Sequence, residues 1–277
     1  MGPVMNFTMK LNFDPFQIFE SSRTPAGLYA REKWLGQGGK KDWQQDAHLT
    51  VSELFNGQAL NGSWSEPPLR TIRRLFGLHL TVRERTGEIE KSLEWLLDCC
   101  MASFPGKRAV LGDRLTLRAL HGLPFSPGCS GYFLYGATLF LSSIYGMEDD
   151  KRVLGMYRTL AEIGQKNSGR WCGLSCSNNI LRAFVVHPEF SFHKATLLAV
   201  EALAHEQDPS GIWKRPVPFY QTVNALAHLD FKSSDAQLKK AFMRLYGSQN
   251  RDGTWGRVDK EWKSFLTLHA LKNKGKL

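Results

Sequence analysis

The chain is short of the features that most readily place a protein. Cysteine is scarce: Cys99, Cys100, Cys129, Cys172 and Cys176 are the only five in 277 residues. An odd number this small excludes a disulfide framework. No run of 18 apolar residues occurs, so no membrane-spanning helix is expected. The opening residues, MGPVMNFTMK, lack a basic segment followed by an apolar one, so a cytoplasmic protein is expected. Strand-forming β-branched runs are nearly absent, AFVV being one of the few. Acidic residues are in deficit, 26 against 36 Lys and Arg, for a net charge of +10. The excess cation is densest in LRTIRRLFGLHLTVRER, where Arg70, Arg73 and Arg74 share a helical face. The simplest reading is the solvated side of a helix; peripheral contact with anionic lipid or a diphosphate is the alternative. No zinc-finger, RRM or KH signature is present, so no nucleic-acid partner is expected.

What the chain has is a repeat. QALNGSW, QKNSGRW, QDPSGIW and QNRDGTWG all fit Gln-x3-Gly-x-Trp. They pair Gln58 with Trp64, Gln165 with Trp171, Gln207 with Trp213 and Gln249 with Trp255. The Trp-to-Trp intervals are 107, 42 and 42 residues, so the first gap has room for a decayed copy. Between the copies the periodicity is helical. TGEIEKSLEWLL, DKRVLGMYRTLAEIG and SSDAQLKKAFMRLYG each carry one apolar face. GYFLYGATLFLSSIYG is apolar nearly all round, and YQTVNALAHL, HKATLLAVEAL and WKSFLTLHALK are small, apolar and lightly charged. A helix that is hydrophobic on every side is buried on every side. The pattern therefore predicts units of one amphipathic outer helix and one buried inner helix, closed into a ring over residues 51–277. Residues 1–50 read as two short helices broken at Thr24-Pro25, either capping the ring or completing it.

Gln-x3-Gly-x-Trp between helical hairpins resembles the QW repeat of the squalene-hopene and oxidosqualene cyclases, with looser relatives among protein prenyltransferase β subunits. YFLYGATLFL and PVPFYQTVNALAHL are similar to inner-helix segments of the cyclases. The resemblance implies an all-α, α/α toroid and a structural role for the Gln/Trp pairs as clips between helices. It also implies an apolar centre for an isoprenoid-like or other hydrophobic molecule. The chemistry such toroids carry is not matched. No Asp-x-Asp-Asp occurs, and in GMEDDKR the carboxylates Asp149 and Asp150 read as helix-start charges. The Asp-x-Cys of the zinc prenyltransferases is missing too, and Lys263 or Ser264 stands where their zinc His would fall.

Candidate cavity residues on the expected inner helices are Tyr132, Tyr135, Cys176, His193, Tyr220, Gln221, Asn224 and His269, with Phe140 beside them. Aromatic faces suit an apolar chain or a passing carbocation. Lys194 and Arg182 are candidates to hold a diphosphate. No cofactor is required; zinc on Cys172, Cys176 and His193 is the alternative to two structural cysteines, with His187 and Cys129 close by in the pattern. The expected site is the rim bordered by Cys176, His193, Gln221 and Asn224. Catalysis, protein–protein interaction and metal-dependent chemistry all remain open. A central funnel of about 300 Å³ or more would favour a small-molecule role.

Overall fold

The computed structural model describes residues 10–111 and 114–277, and it is helical throughout. Eleven α-helices occur among the described residues: α1 (Pro25–Lys33), α2 (Lys41–Phe55), α3 (Pro68–Thr81), α4 (Gly87–Met101), α5 (Ser130–Ile144), α6 (Lys151–Lys166), α7 (Leu174–Phe184), α8 (Lys194–Ala204), α9 (Phe219–Leu226), α10 (Lys232–Gly247) and α11 (Lys260–Asn273). The helix starts carry local signals. Thr24 caps α1 ahead of Pro25, Thr86 caps α4, and Asp150 accepts the first amides of α6. No described helix is long and apolar enough to cross a membrane.

The odd-numbered helices form an inner ring. α1 packs on α3, α3 on α5, α5 on α7, α7 on α9, α9 on α11, and α11 returns to α1. They run in parallel. Cys129 and Cys176, at the starts of α5 and α7, touch; Asn178 bonds Thr222 at 2.9 Å further along; His79 and Phe140 meet near the far ends. The ring therefore has a leading end, where inner helices begin, and a trailing end, where they finish. α5 is apolar enough that Gly131 through Ser143 are all buried. Gly136 lets it close on α7, because a Cβ there would stand 2.7 Å from the Asn179 carbonyl oxygen. The even-numbered helices wrap the ring. The segment HKATLLAVEAL, expected to be inner, is the outer helix α8, packed on α6 and α10. Its low charge hides its position, since outer helices here also bury one face against their outer neighbours.

The repeats stitch the shell together. Gly62, Gly169, Gly211 and Gly253 all have φ between +79° and +88°. A Cβ on them would stand 2.6 Å or less from the backbone of Lys91, Leu198, Lys240 and Asp14 respectively. Only glycine combines this conformation with this approach. The first three partners lie in the next outer helix; the fourth lies in the N-terminal segment, which takes the place of a sixth outer helix. All four Trp are buried. Their backbone amides bond hydroxyls on the following inner helix in three cases: Trp64 to Thr71, Trp171 to Ser177 and Trp255 to Ser264. Gln58, Gln207 and Gln249 reach across to Glu88, Gln237 and Phe13 carbonyls at 2.8, 3.0 and 2.9 Å. Gln165 differs: α6 continues through Lys166, so its side chain is left exposed on the helix.

No such turn links α4 to α5. The described residues 102–111 and 114–129 take its place, and they fold over the leading end, burying Leu120, Leu123 and Phe125. Ser126 and Asn179 exchange two hydrogen bonds, at 2.8 and 2.9 Å, and Trp262 donates to the Leu123 carbonyl at 3.3 Å. Phe125 reaches inward against Phe133 and Phe140. The leading end is thereby filled with side chains.

Candidate functional site

At the trailing end each inner helix or its end presents one polar or aromatic group to the centre: Tyr29 from α1, His79 from α3, Phe140 from α5, Arg182 from α7, His228 just past α9 and His269 from α11. Their neighbours along the ring approach one another in two runs, from His79 through Phe140 to Arg182 and from His228 through His269 to Tyr29. The His79 and Phe140 rings lie 6.4 Å apart, His228 and His269 5.5 Å, and Tyr29 and His269 6.3 Å. The Arg182 guanidinium sits 5.1 Å over the Phe140 ring. Tyr29, His79, His228 and His269 are half-buried, so solvent reaches the group from this end.

Arg182 is the anomaly. It is 6% exposed, no carboxylate pairs with it, and its Nε and Nη1 have no partner among the described residues. Burial pushes its pKa down to about 9. Around it the Nδ1 of His79, the Nε2 of His228 and the Oδ1 of Asn224 are also unpartnered. Burial, reinforced by the Arg182 charge, lowers His79 and His269 to about 4 and drives His228 well below its ordinary value. The three rings are therefore neutral near pH 7. Asn224 donates to the Leu266 carbonyl and lies 3.3 Å from His269 Nδ1. Beneath lies an aromatic floor in which Phe76 meets Trp262 edge-on, and Trp262 stacks on Phe265. At the edge Arg83 pairs with Glu32 and covers Tyr29. Such a cluster can bind an anion with charge-assisted donors in a low-dielectric setting.

Of the residues singled out in the sequence, Phe140, Arg182, Asn224 and His269 come together here. Tyr135 is structural: its hydroxyl donates into the Ser103 and Gly106 carbonyls at 2.7 and 2.9 Å, pinning the start of the 102–129 segment. Tyr132 packs on Tyr135 near the cysteines. Tyr220 and Gln221 occupy the first turn of α9 at the leading end, with Lys263 Nζ 5.6 Å from the Tyr220 ring. The grouping of His193 with Cys172 and Cys176 is not formed. Cys176 lies in the first turn of α7, whereas His193 follows its far end and caps the outer helix α8 by accepting from Ala195 N–H. About 12 Å of helix rise separates Cys176 from the end of α7, more than two ligands of one ion can bridge. His187 stays at the trailing end, packed 4.4 Å from Tyr157. Lys194 is exposed on the outer helix α8, whereas Arg182 is buried on the inner helix α7. Asp150 caps α6 and pairs with Arg152 at 2.9 Å, outside the centre.

His79 and His228 had a readable signal. His79 falls three and seven residues after Phe76 and Ile72, on the buried face of a helix that looks basic; His228 falls four after Asn224. Two cavities stand out elsewhere. One of about 750 Å³ lies over the start of α5, lined by residues including Val110, Arg114, Gly128 and Ser130; another of about 390 Å³ lies between α4 and α6. Neither is lined by Tyr29, His79, Phe140, Arg182, His228 or His269.

No family model matches the chain, and no curated protein matches it in sequence. Solved structures do match in shape. A protein from Actinoplanes aligns over 93% of this chain and 90% of its own, with TM-score 0.57 at 16% identity. The apo structure of a type II terpene cyclase, MstE from Scytonema, aligns over 93% and 88%, with TM-score 0.59 at 11% identity. Identities this low speak to fold alone. The chain is an all-α toroid with the fold seen in that terpene cyclase.

Proposed function

We propose that the protein binds an isoprenoid-like or other apolar small molecule bearing an anionic group, with Arg182 holding the anion at the trailing end. The observation that carries this reading is the unpaired, buried guanidinium. Burying a lone cation costs several kcal/mol, and a counter-charge from outside would offset that cost. Its free N–H groups form a fork suited to carboxylate or phosphate oxygens. Neutral His79 and His228 can each donate one further N–H without adding a like charge. The aromatic floor suits an apolar tail.

Cation-cascade chemistry fits the centre poorly. A carbocation beside Arg182 would meet like-charge repulsion in a low dielectric, and the sequence stretch most similar to an Asp-x-Asp-Asp acid, with Asp149 and Asp150, starts the outer helix α6 outside the ring. Binding, or chemistry at the anionic group itself, suits the arrangement better. A second reading, a non-catalytic toroid used for protein contacts, is favoured by the filled leading end and by cavities that lie outside the centre.

Binding of a prenyl diphosphate, a fatty acid and a neutral prenyl alcohol, followed by native mass spectrometry and tryptophan fluorescence, separates the two. The anionic ligands should bind at least about tenfold tighter than the alcohol, a difference of ~1.4 kcal/mol. Arg182→Met should erase that preference while leaving alcohol binding intact. No binding of any of the three, or an anion preference unchanged in Arg182→Met, would leave the interaction reading standing.

A further inference from the structure

A second constellation lies at the opposite end and plays no part in the reading above. Cys129 caps the start of α5, Cys172 follows Trp171 of the second Gln-x3-Gly-x-Trp copy, and Cys176 sits in the first turn of α7. Their sulfurs all lie within 4.8 Å of one another. Cys129 Sγ and Cys176 Sγ are 3.3 Å apart, and Cys176 Sγ also accepts from the Cys129 backbone N–H at 3.3 Å. We propose that Cys129, Cys172 and Cys176 form a three-thiolate site for zinc or a similarly thiophilic divalent cation.

The geometry fits. With Zn–S bonds of about 2.3 Å, tetrahedral ligands stand about 3.8 Å apart, between the closest pair observed and the outer limit of the cluster. Binding replaces three S–H bonds by three S–metal bonds and releases three protons to solvent. The resulting single negative charge on a zinc–thiolate centre would face the starts of α5 and α7, whose free amides and dipoles favour anions. Arg114 lines the adjoining cavity and adds a cation nearby.

Three protein ligands leave a fourth position, the pattern of a zinc site that binds water or a substrate donor rather than of a closed structural one. The 750 Å³ cavity begins beside it, with Gly128 and Ser130 in its wall on either side of Cys129. Gly128 keeps this wall open, since a Cβ there would stand 3.2 Å from Cys176 Sγ. The ligand class that fits a soft, exchangeable position is a thiol, with water as its default occupant. Cys99 and Cys100 lie apart in α4 and are not part of the cluster.

Titration of the full-length reduced protein with Co2+ and Cd2+ tests this. The expected result is one ion per chain, tetrahedral cobalt absorption and thiolate-to-metal charge transfer, with metal analysis of the purified protein showing zinc. Cys172 is exposed, so Cys172→Ser should fold normally yet weaken binding by more than about 100-fold, beyond what loss of an outer-shell partner costs. Cys129→Ser should do the same, and Cys99→Ser should change nothing. Failure of the reduced wild-type protein to take up cobalt or cadmium would overturn the site. Unchanged affinity in Cys172→Ser would do so as well, as would a Cys129–Cys176 disulfide found by mass in protein purified under reducing conditions.

Discussion

The two ends of the inner ring are built from the same six helices and treat burial in opposite ways. At the leading end, residues 114–129 bring Leu120, Leu123 and Phe125 into the centre and tie themselves down through Ser126–Asn179 and Trp262. Among the described residues of that segment, no buried side-chain nitrogen or oxygen lacks a partner. At the trailing end the centre keeps a buried guanidinium, neutral imidazoles and an amide oxygen without partners. One end is filled and satisfied, the other unsatisfied and reached by solvent. Unmet hydrogen-bonding capacity in a stable core is costly, and its concentration at one end marks that end as the place for a ligand.

The contrast can be broken most forcefully from the filled side. Phe125 is 1% exposed and packs on Phe133 and Phe140. Phe125→Ala should cost about 3–5 kcal/mol, measured by urea unfolding, and a loss below about 1 kcal/mol would mean that the 102–129 segment does not seal the ring.

Acid should act on the other end. His79 and His269 have folded pKa values near 4, below the unfolded 6.5, so the unfolded chain takes up protons first as pH falls. Stability is intact above about pH 6.5 and is lost as pH drops toward 4, by roughly 3 kcal/mol per ring at most. Arg182 and Arg83 sharpen the effect by repelling the imidazolium. His79→Phe with His269→Phe should flatten the midpoint-against-pH curve between 6.5 and 4; an unchanged slope would remove these rings from the buried centre.

Arg182→Met should raise stability at pH 7, by about 1–4 kcal/mol, because it replaces an uncompensated buried charge with an apolar chain of similar length. Calorimetry without ligand reads this directly, and destabilisation would mean that Arg182 has a structural partner.

The smallest effects concern the clips. Gln249→Ala loses bonds to Phe13 and Gly253 and should cost about 1 kcal/mol. Gln165→Ala, at an exposed position, should stay within about 0.5 kcal/mol. Equal losses at the two sites would mean that the Gln is not what stitches the shell.

The sequence by itself determined the all-helical class, the repeat and the burial of the four Trp, because 3.6-residue periodicity and a glycine–tryptophan turn are local and recur in register. It was also enough to place Asp150 at a helix start, since a cap is read within four residues. Ring closure was not local: the fourth glycine needs a backbone neighbour, and only the fold supplies Asp14, over 200 residues away. The candidate site lay further still from view. Arg182 looks like a rim cation and His79 like part of a basic surface until six helices bring their inner faces together. What decided their chemistry was the loss of solvent and of partners around them, a property of the assembled ring that no single segment carries. The cysteines divide in the same way. Cys172 and Cys176 are neighbours along the chain, but His193 was drawn to them only by sequence distance. The parallel inner helices bring Cys129 to them and carry His193 to the other end.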